Sequence, residues 1–304
     1  IEPLLRQSLV FSCVRNPSLM KLLNTNLLKL SMVLVAMALG LDSIAQALGG
    51  GSKEIGYQIG TSYYIGDLNP DNPLKIRPHI AQGGFYRSNI NSRLGVRFQI
   101  MNGTVEAWDE DSDNSWALNR NLHFRNNITE FSVQGEINYI DHVLGNPKHR
   151  FSAFLTAGVA YFNHDPEAQD SNGNWHPLQP MGTEGQGWID GVDPYSLSGF
   201  AIPYGMGFKV NLGVSLSFQM EWGMRKTWTD YLDDVSTSYV NQLQLIEERG
   251  ELSAELADRI MELPDGVNSE GLQRGDPGRN DKYGYVLASI SLRVSKKPTT
   301  CWEQ

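Results

Sequence analysis

The stretch DEDSDN, residues 109–114, is the first place where the sequence could bind a ligand. Asp109, Asp111 and Asp113 alternate as the carboxylate ligands of a calcium-binding loop do. An EF-hand loop, however, needs glycine where Asn114 stands and a bidentate glutamate where Arg120 stands. A solvated acidic loop therefore explains this stretch better than a calcium site.

Histidine and cysteine chemistry is also weakly supported. The six histidines show no H-x-x-x-H spacing, so a metal cluster is not predicted. His164 and Asp165 could orient a catalytic base, but no serine or cysteine nucleophile motif accompanies them. Of the two cysteines, Cys13 lies in an N-terminal segment that we expect to be removed, which leaves only Cys301. The sequence predicts neither an enzyme nor a cofactor.

The other charged residues of interest lie in segments where apolar and polar residues alternate along the chain. In VSLSFQMEWGMRK, residues 214–226, six apolar residues alternate with polar or small ones: Val214, Leu216, Phe218, Met220, Trp222 and Met224, of which the first five are predicted to face lipid. This spacing is typical of a β-strand with one apolar and one polar face. In this and similar segments, the charged residues assigned to polar faces are Arg93, Arg97, Glu130, Glu136, Lys209, Glu221 and Arg225.

Eight such segments can be assigned, and the charged residues named above lie on them. Their predicted bounds are 54–64, 79–89, 92–105, 127–140, 150–163, 200–211, 213–226 and 283–294. The connections between them alternate between long and short, as they do in outer-membrane barrels. The pattern predicts an all-β fold, an eight-stranded antiparallel transmembrane β-barrel of the outer-membrane type, with a short helical segment in the last external loop.

In such a barrel the apolar faces meet lipid and the charged faces meet the lumen. Eight strands leave an interior that side chains nearly fill, so opposite charges are expected to pair there as a structural plug. A proton or ion relay is the functional alternative for these charges. A soluble barrel of lipocalin type, with the apolar face lining a ligand cavity, is the alternative fold. On the membrane model, arginine should be tolerated better at position 219 than at Met220.

Aromatic residues fall near the predicted strand ends, where membrane interfaces should lie. At outer ends these are Tyr63, Tyr161, Trp222, Trp228, Tyr283 and Tyr285, and at inner ends Phe85, Tyr139 and Phe151.

Composition alone resembles that of a soluble acidic protein, with a mean hydropathy of −0.33 and a net charge of −9. The negative charge disfavours a nucleic-acid partner. A barrel is compatible with these averages because half of each strand and all of the loops are polar.

The N-terminal region indicates the compartment. Residues 20–47 contain a basic start, an apolar stretch and the small-x-small sequence Ala45-Gln46-Ala47, which together are typical of a secretory signal peptide. Residues 1–19 are interpreted as an upstream segment, non-native or untranslated. Residues 48–294 would form the barrel and residues 295–304 a periplasmic tail. The predicted location is the outer membrane of a Gram-negative bacterium, with both termini periplasmic.

The last long connection contains a predicted amphipathic helix. Leu245, Leu252, Leu256 and Ile260 follow mostly helical spacing, and Gly250 should divide two short helices. Their apolar side should rest on the barrel rim or a neighbouring loop, or, less favourably, on a partner chain.

Several stretches carry a resemblance to a known family. They are EIGYQIGTSYYIGDLN, FYRSNINSRLGVR, NLHFRNNITEFSVQGEIN, AIPYGMGFKV, TDYLDDVSTSYV and NDKYGYVLASISLRV. Together they resemble the Bacteroidota outer-membrane barrel family that includes PorG, the barrel component of the type IX secretion system. The resemblance covers nearly all of residues 54–294.

The resemblance implies a non-enzymatic barrel that contacts outer-membrane lipid and anchors or supports a periplasmic ring of secretion proteins. The contact residues would then be Lys148, Arg150, Lys296 and Lys297, on the largest periplasmic turn and the tail. The alternative is an OmpA-like structural or surface-exposed barrel with no secretion role. A small-solute channel is disfavoured by the filled lumen.

Overall fold

The computed structural model describes residues 51–70, 77–265 and 267–294 of the chain. The predicted upstream segment, residues 1–19, and the predicted signal peptide, residues 20–47, lie outside the described residues. So does the predicted tail, residues 295–304, with Lys296 and Lys297.

In the described residues, eight long antiparallel strands form a closed barrel. They are β1 (Lys53–Ile65), β2 (His79–Asn89), β3 (Leu94–Trp108), β4 (His123–Asn138), β5 (Phe151–Asn163), β8 (Ser198–Asn211), β9 (Leu216–Thr227) and β10 (Lys282–Arg293). Two shorter strands, β6 (Pro166–Gln169) and β7 (Trp175–Pro177), form a hairpin that extends from β4.

Each barrel strand pairs with its neighbour along the chain, with β8 following β5 around the wall. Pairing of β1 with β10, for example Tyr57 with Ile290, closes the ring. A closed ring leaves no strand edge without a hydrogen-bonding neighbour. The predicted eight-stranded antiparallel barrel is therefore confirmed.

The side chains alternate between the inside and the outside of this wall. On β9, Ser217, Gln219, Glu221 and Arg225 are buried inside, while the apolar residues between them point outward. Every barrel strand presents large apolar side chains to the outside, including Ile55, Ile80, Ile100, Ile137, Leu155, Phe200, Met220 and Ile290, which are 41–70% exposed.

The alternation reverses polarity at one end of the barrel. On β3, Met101 and Val105 point inward and are buried, while Asn102 points outward and donates to Asn127 Oδ1 of β4 at 2.8 Å. The inside of this end holds the main apolar core, with Phe124, Ile128, Phe162, Leu232 and Tyr285 among its members. Because the pattern inverts, β3 and β4 extend beyond their predicted limits at residues 105 and 127.

Short turns join the strands at one end of the barrel and long connections at the other. At the short-turn end are residues 90–93, 139–150 and 212–215. At the opposite end lies the loop cap, which we define as the described parts of the four long connections, residues 66–78, 109–122, 164–197 and 228–281.

The loop cap contains three α-helices in its described part, α1 (Ser115–Arg120), α2 (Gln242–Arg249) and α3 (Glu251–Ala257). Gly250, with a φ of 92° that favours glycine, separates α2 from α3, as the sequence predicts. Leu245 packs with Ala254 and Ala257 against Trp188 and Val240 of the cap. Their apolar side is thus covered by neighbouring loops. Among the described residues, no helix is both long and apolar enough to cross a membrane.

Candidate functional site

The middle of the lumen holds a set of buried charges. Four carboxylates face four cations there, and each residue is at most 3% exposed: Glu54, Glu130, Glu136, Glu221, Arg87, Arg97, Lys209 and Arg225. An isolated buried charge is very costly, so an interior of this kind requires pairing of opposite charges. The strands place the eight groups so that each has an opposite charge within reach.

Two of the ion pairs cross the lumen between strands that are not neighbours. Arg97 of β3 donates from Nη2 to Glu221 Oε1 of β9 at 2.7 Å and also to Gln134 Oε1 at 2.9 Å. Arg225 of β9 donates from Nε to Glu130 Oε2 of β4 at 2.9 Å. These contacts occupy the barrel axis and tie opposite walls together.

A second cluster lies closer to the short turns. Arg87 of β2 lies 3.2 Å from Glu54 Oε2 and 3.1 Å from Glu136 Oε2. Lys209 of β8 donates to the other oxygen of Glu136, and Ser291 donates to Glu54 at 2.7 Å. Glu136 thus bridges two cations, and the charges in this part of the lumen balance.

The structure places six of the seven predicted lumen charges inside the barrel: Arg97, Glu130, Glu136, Lys209, Glu221 and Arg225. Arg93 is a correction. It lies in the turn before β3, its side chain is 58% exposed, and it pairs with Asp141 at 2.8 Å. The sequence prediction extended the strand to position 92, whereas β3 begins at Leu94, so the inward register does not apply to Arg93.

Two lumen residues were missed in the sequence. Glu54 shares the polar face of β1 with Gln58, a signal that was present in the alternation. Arg87 lies on a face of β2 that also carries Ala81, Gly83 and Phe85, so no polar alternation marks it.

Of the five residues predicted to face lipid, the four on β9 point away from the lumen. Met220 and Trp222 are 41% and 38% exposed, and Leu216 and Phe218 are half-buried among neighbouring side chains. Val214 is 60% exposed but lies in the turn before β9, outside the strand.

The expected tolerance of arginine at position 219 needs correction. Gln219 is 2% exposed, and its Oε1 accepts a hydrogen bond from Arg87. An arginine at that position would place a second guanidinium beside Arg87 in a filled interior, so this substitution is not a benign control.

The predicted aromatic belts are partly wrong. Tyr283 and Tyr285 point into the lumen, where Tyr283 donates to Glu130 Oε2 at 3.0 Å. Phe85 is buried on the inward face of β2, and Tyr63 is only 2% exposed. Near the predicted positions, Tyr139, Phe151, Tyr161 and Trp228 are exposed on the outside.

Arg274 joins two long connections of the loop cap. It is 1% exposed, and its Nη1 donates to Glu184 Oε1 at 2.8 Å and to the Asp234 carbonyl. Glu184 also accepts the backbone N–H groups of Ser236 and Thr237 at 2.9 and 3.0 Å. This arrangement fixes the β5–β8 connection against the β9–β10 connection.

Arg120 performs the same role for the other two connections. It forms a bidentate pair with Asp109, both contacts being 2.7 Å, and donates to the carbonyls of Arg274 at 2.7 Å and Asp67 at 3.0 Å. Asp109 is therefore a buried structural partner rather than a calcium ligand. No cluster of three or more His, Cys, Asp or Glu residues suited to a metal occurs in the part of the chain that the structure describes.

Acidic side chains crowd the interior of the loop cap. Tyr64 Oη lies 2.5 Å from Asp233 Oδ2 and 2.8 Å from Asp281 Oδ1, and both carboxyls are fully buried. Burial and repulsion from neighbouring carboxylates raise the pKa of both carboxyls well above the usual aspartate range. Burial also raises the pKa of Asp230 to about 7 and that of Asp234 to about 6.

These shifts predict that the loop cap is more stable in mild acid. Between the unfolded aspartate pKa, about 3.9, and the raised native values, the native cap binds more protons than the unfolded loops. Stability therefore falls as pH rises from about 4 through about 7. Hydrogen exchange of the cap amides, corrected for intrinsic rates, should show stronger protection at pH 5 than at pH 8.

Asp230→Asn supplies the control for this pH dependence. The amide cannot ionise, so the difference in protection between pH 5 and pH 8 should shrink in this variant. Equal protection of the wild-type cap at both pH values would contradict the assignment.

His164 does not form a catalytic arrangement with Asp165. Its Nδ1 lies 3.1 Å from Asn126 Nδ2, and its Nε2 lies 3.2 Å from the Ser196 carbonyl. The ring therefore links the end of β5 to β4 and to the cap, a structural role.

The short-turn end carries exposed cations. Lys148 and Arg150, predicted to contact a partner, are both exposed on residues 139–150, the longest connection at this end. Their side chains form no ion pair with any residue that the structure describes.

The comparisons with known proteins concern family and fold. A family model described as "Domain of unknown function (DUF6089)" matches residues 29–175, just under half of the chain. No curated protein sequence matches the chain. The resemblance to PorG-like barrels stays a prediction.

Several solved structures of bacterial proteins are similar to this chain. One is the Neisserial surface protein A, with 6% identity, a TM-score of 0.38 and coverage of 79% of this chain and 96% of that chain. Another is Ail of Yersinia pestis, with 10% identity, a TM-score of 0.37 and coverage of 80% and 98%. A third is OprG from Pseudomonas aeruginosa, with 11% identity, a TM-score of 0.36 and coverage of 81% and 98%.

Proposed function

We propose that the chain is a non-enzymatic outer-membrane barrel with a closed lumen, which holds the loop cap at the membrane surface. The observation that carries this proposal is the apolar belt around the outside of the barrel. Large contiguous apolar surfaces are rare on soluble monomers and mark contact with membranes or partners. Here the belt includes side chains from all eight barrel strands.

The height of the belt suits a bilayer. On β4, the outward side chains from Phe131 towards Tyr139 are mostly apolar, whereas Thr129, Asn127 and Arg125 follow at the cap end. The apolar stretch is about nine residues long, within the roughly 9–11 that a tilted strand needs to cross the hydrocarbon layer. The polar outward residues of β3 and β4 would stand above the membrane, beneath the loop cap.

The soluble lipocalin-type alternative predicts the opposite arrangement. Its apolar face would line the interior, but at mid-barrel the interior holds the four carboxylates and four cations of the lumen. This polarity supports the membrane assignment.

The filled lumen predicts that the barrel does not conduct ions. Arg97, Glu221, Glu130 and Arg225 cross the axis as pairs, and an eight-stranded barrel has little other interior space. The protein in planar lipid bilayers should show no large, long-lived conductance steps. Stable porin-like steps from protein with native heat-modifiable gel mobility would contradict a closed lumen and revive the channel alternative.

Outer-membrane barrels have short periplasmic turns and long external loops. On that rule, the loop cap is extracellular and residues 90–93, 139–150 and 212–215 face the periplasm. The described ends of the barrel, near Lys53 and Arg293, lie beside each other on β1 and β10 at the short-turn end.

The loop cap is the proposed working surface. Arg120 and Arg274 fix its four connections in one arrangement, and a surface that is already ordered loses less entropy when it binds. Exposed apolar side chains on this surface include Trp116, Leu243 and Met261, which are 44%, 74% and 63% exposed.

A second candidate is the anchoring role that the PorG-like resemblance implies. The barrel would then support a periplasmic ring of the type IX secretion system. Lys148 and Arg150 favour this candidate, because they are exposed cations on the largest periplasmic turn and have no acidic partner among the described residues.

Two pairs of surface substitutions separate these roles. Leu243→Asp with Met261→Asp alters the cap surface, and Lys148→Glu with Arg150→Glu alters the periplasmic turn. All four positions are exposed, so the barrel should fold in each variant. Partners are recovered by cross-linking in native membranes at matched levels of folded barrel.

A surface role predicts loss of partners only in the cap variant, whereas an anchor predicts loss only in the turn variant. A partner retained by both variants would contradict both contact surfaces. Absence of any partner with the wild-type chain would leave a purely structural barrel.

A further inference from the structure

The outside of the barrel carries an apolar groove of 660 Å³. It crosses the outer faces of β4, β5, β8, β9 and β10. Its outward lining residues are Ile137, Tyr139, Ala153, Leu155, Met206, Phe208, Met220, Trp222 and Val286. The lining is almost entirely apolar, and the volume lies within the range of about 300–1,000 Å³ found for ligand clefts.

A small residue among large ones explains the depression. Ala153 on β5 pairs directly with Phe208 on β8, and Tyr139 donates its backbone N–H to the Ala153 carbonyl at 2.8 Å. Alanine leaves space that these larger neighbours border. The outward side chains of Met206 and Trp222, which are register partners, continue the wall towards mid-barrel.

The groove has a direction relative to the two ends of the barrel. Tyr139 and Ala153 lie at its short-turn end, while Trp222 and its β10 partner Val286 lie further into the belt. A ligand along it would therefore extend from the membrane interface at the short turns into the hydrocarbon layer.

Two exposed cations lie in the connection at this end of the barrel, residues 139–150. Arg150 is the last residue before β5 and precedes Ala153 by three residues, and Lys148 lies in the same turn. Both are exposed and have no ion-pair partner among the described residues, whereas Arg93 at the same end pairs with Asp141. Unneutralised positive charge is therefore present at the end of the barrel from which the groove starts, where phosphate headgroups would lie on the proposed membrane location.

We propose that the groove binds one glycerophospholipid from the leaflet at the short-turn end, with an acyl chain in the groove and its phosphate at Arg150 and Lys148. The inference rests on the proposed membrane location. Within a bilayer, apolar contact alone does not distinguish the groove from surrounding lipid, since lipid tails are as apolar as the groove lining. Selection must then come from shape, at Ala153, and from charge, at Arg150 and Lys148.

The test measures phospholipid retained by the purified barrel in detergent, using native mass spectrometry after addition of phosphatidylglycerol or phosphatidylcholine. The wild-type chain should retain one phosphatidylglycerol per barrel, in preference to phosphatidylcholine. Ala153→Leu should fill the groove and reduce the retained fraction about tenfold. Arg150→Glu should abolish the preference for the anionic lipid.

Ala157→Leu is the matched control. Ala157 also points outward on β5, is exposed, pairs with Tyr204 and does not line the groove. Its retention of phosphatidylglycerol should equal that of the wild-type chain. Heat-modifiable gel mobility establishes that each variant is folded, and Arg150→Glu tests the headgroup contact separately if Ala153→Leu does not fold.

Equal retention by Ala153→Leu and Ala157→Leu, or no specific retention by the wild-type chain, would overturn the proposal. A lipid-free dimer that Ala153→Leu disrupts would instead make the groove a contact between copies of the chain and would also overturn it. Failure of the wild-type barrel to insert into phospholipid vesicles would refute the membrane assignment itself. Insertion without retained lipid would refute only the groove.

Discussion

Replacing Arg97 with methionine should lower the free energy of unfolding of the barrel by about 3–5 kcal/mol. The guanidinium of Arg97 and the carboxylate of Glu221 are each at most 3% exposed and contact each other across the lumen. Removing the cation leaves a buried carboxylate without its hydrogen-bonded partner, which costs far more than loss of an exposed pair. Urea unfolding in phospholipid vesicles, followed by gel mobility and fluorescence, measures the change.

Two further variants isolate the cause. Arg93→Met breaks an exposed pair with Asp141 and should cost only about 0–1 kcal/mol. The double variant Arg97→Met, Glu221→Met removes both buried charges and should recover much of the loss, because an apolar pair of similar volume often replaces a buried ion pair without penalty.

The three measurements form a clear comparison. If Arg97→Met costs no more than Arg93→Met, the lumen is hydrated and the closed interior is wrong. If the double variant is less stable than Arg97→Met, contacts of Glu221 other than that with Arg97 determine the effect.

The barrel could be predicted from sequence because its two faces meet opposite environments. Outward positions such as Ile100 and Met220 are apolar, and inward positions such as Gln99 and Glu221 are polar. This alternation was sufficient to locate all eight strands. Alternation failed as a guide where the environments of the two faces change. Beyond Met101 the interior is apolar and the exterior polar, and the prediction stopped short of the observed end of β3 at Trp108.

Errors in individual residues have equally local causes. Arg93 was assigned to the lumen by continuing a strand register one residue into a turn, where side-chain direction no longer alternates. Arg87 was missed because Gly83 and Gly84 interrupt the pattern of β2, and glycine has no side chain that would mark one face of the strand as polar or apolar.

The contacts within the loop cap could not be predicted from local sequence patterns. Arg274 and Glu184 are 90 residues apart in sequence, and their pairing depends on how two irregular connections cross. The acidic stretch that begins at Asp109 resembles a calcium-binding loop. Arg120, which stands where that motif needs a glutamate, instead forms a buried ion pair with Asp109. The residue that departs from the calcium motif is therefore one half of a structural ion pair.

Met220→Arg should destabilise the barrel by about 2–4 kcal/mol in lipid, the cost of a lipid-facing arginine near the bilayer midplane. Met220 points outward from β9, is 41% exposed and pairs with Phe208 and Ala288 of the neighbouring strands. On the proposed membrane location, lipid replaces water around this position, so the guanidinium must either desolvate or draw water and headgroups inward. Reversible unfolding in vesicles of defined thickness measures this cost directly.

The depth dependence of the cost provides the decisive control. Val214 is 60% exposed as well, but it lies in the turn before β9, at the short-turn end of the barrel. Val214→Arg should therefore cost only about 0–1 kcal/mol. Equal, negligible costs at Met220 and Val214 would mean that water surrounds the belt, and the membrane assignment would then fail. A cost at Met220 that grows in thicker bilayers while that at Val214 stays small would show that hydrocarbon, rather than local packing, sets the penalty.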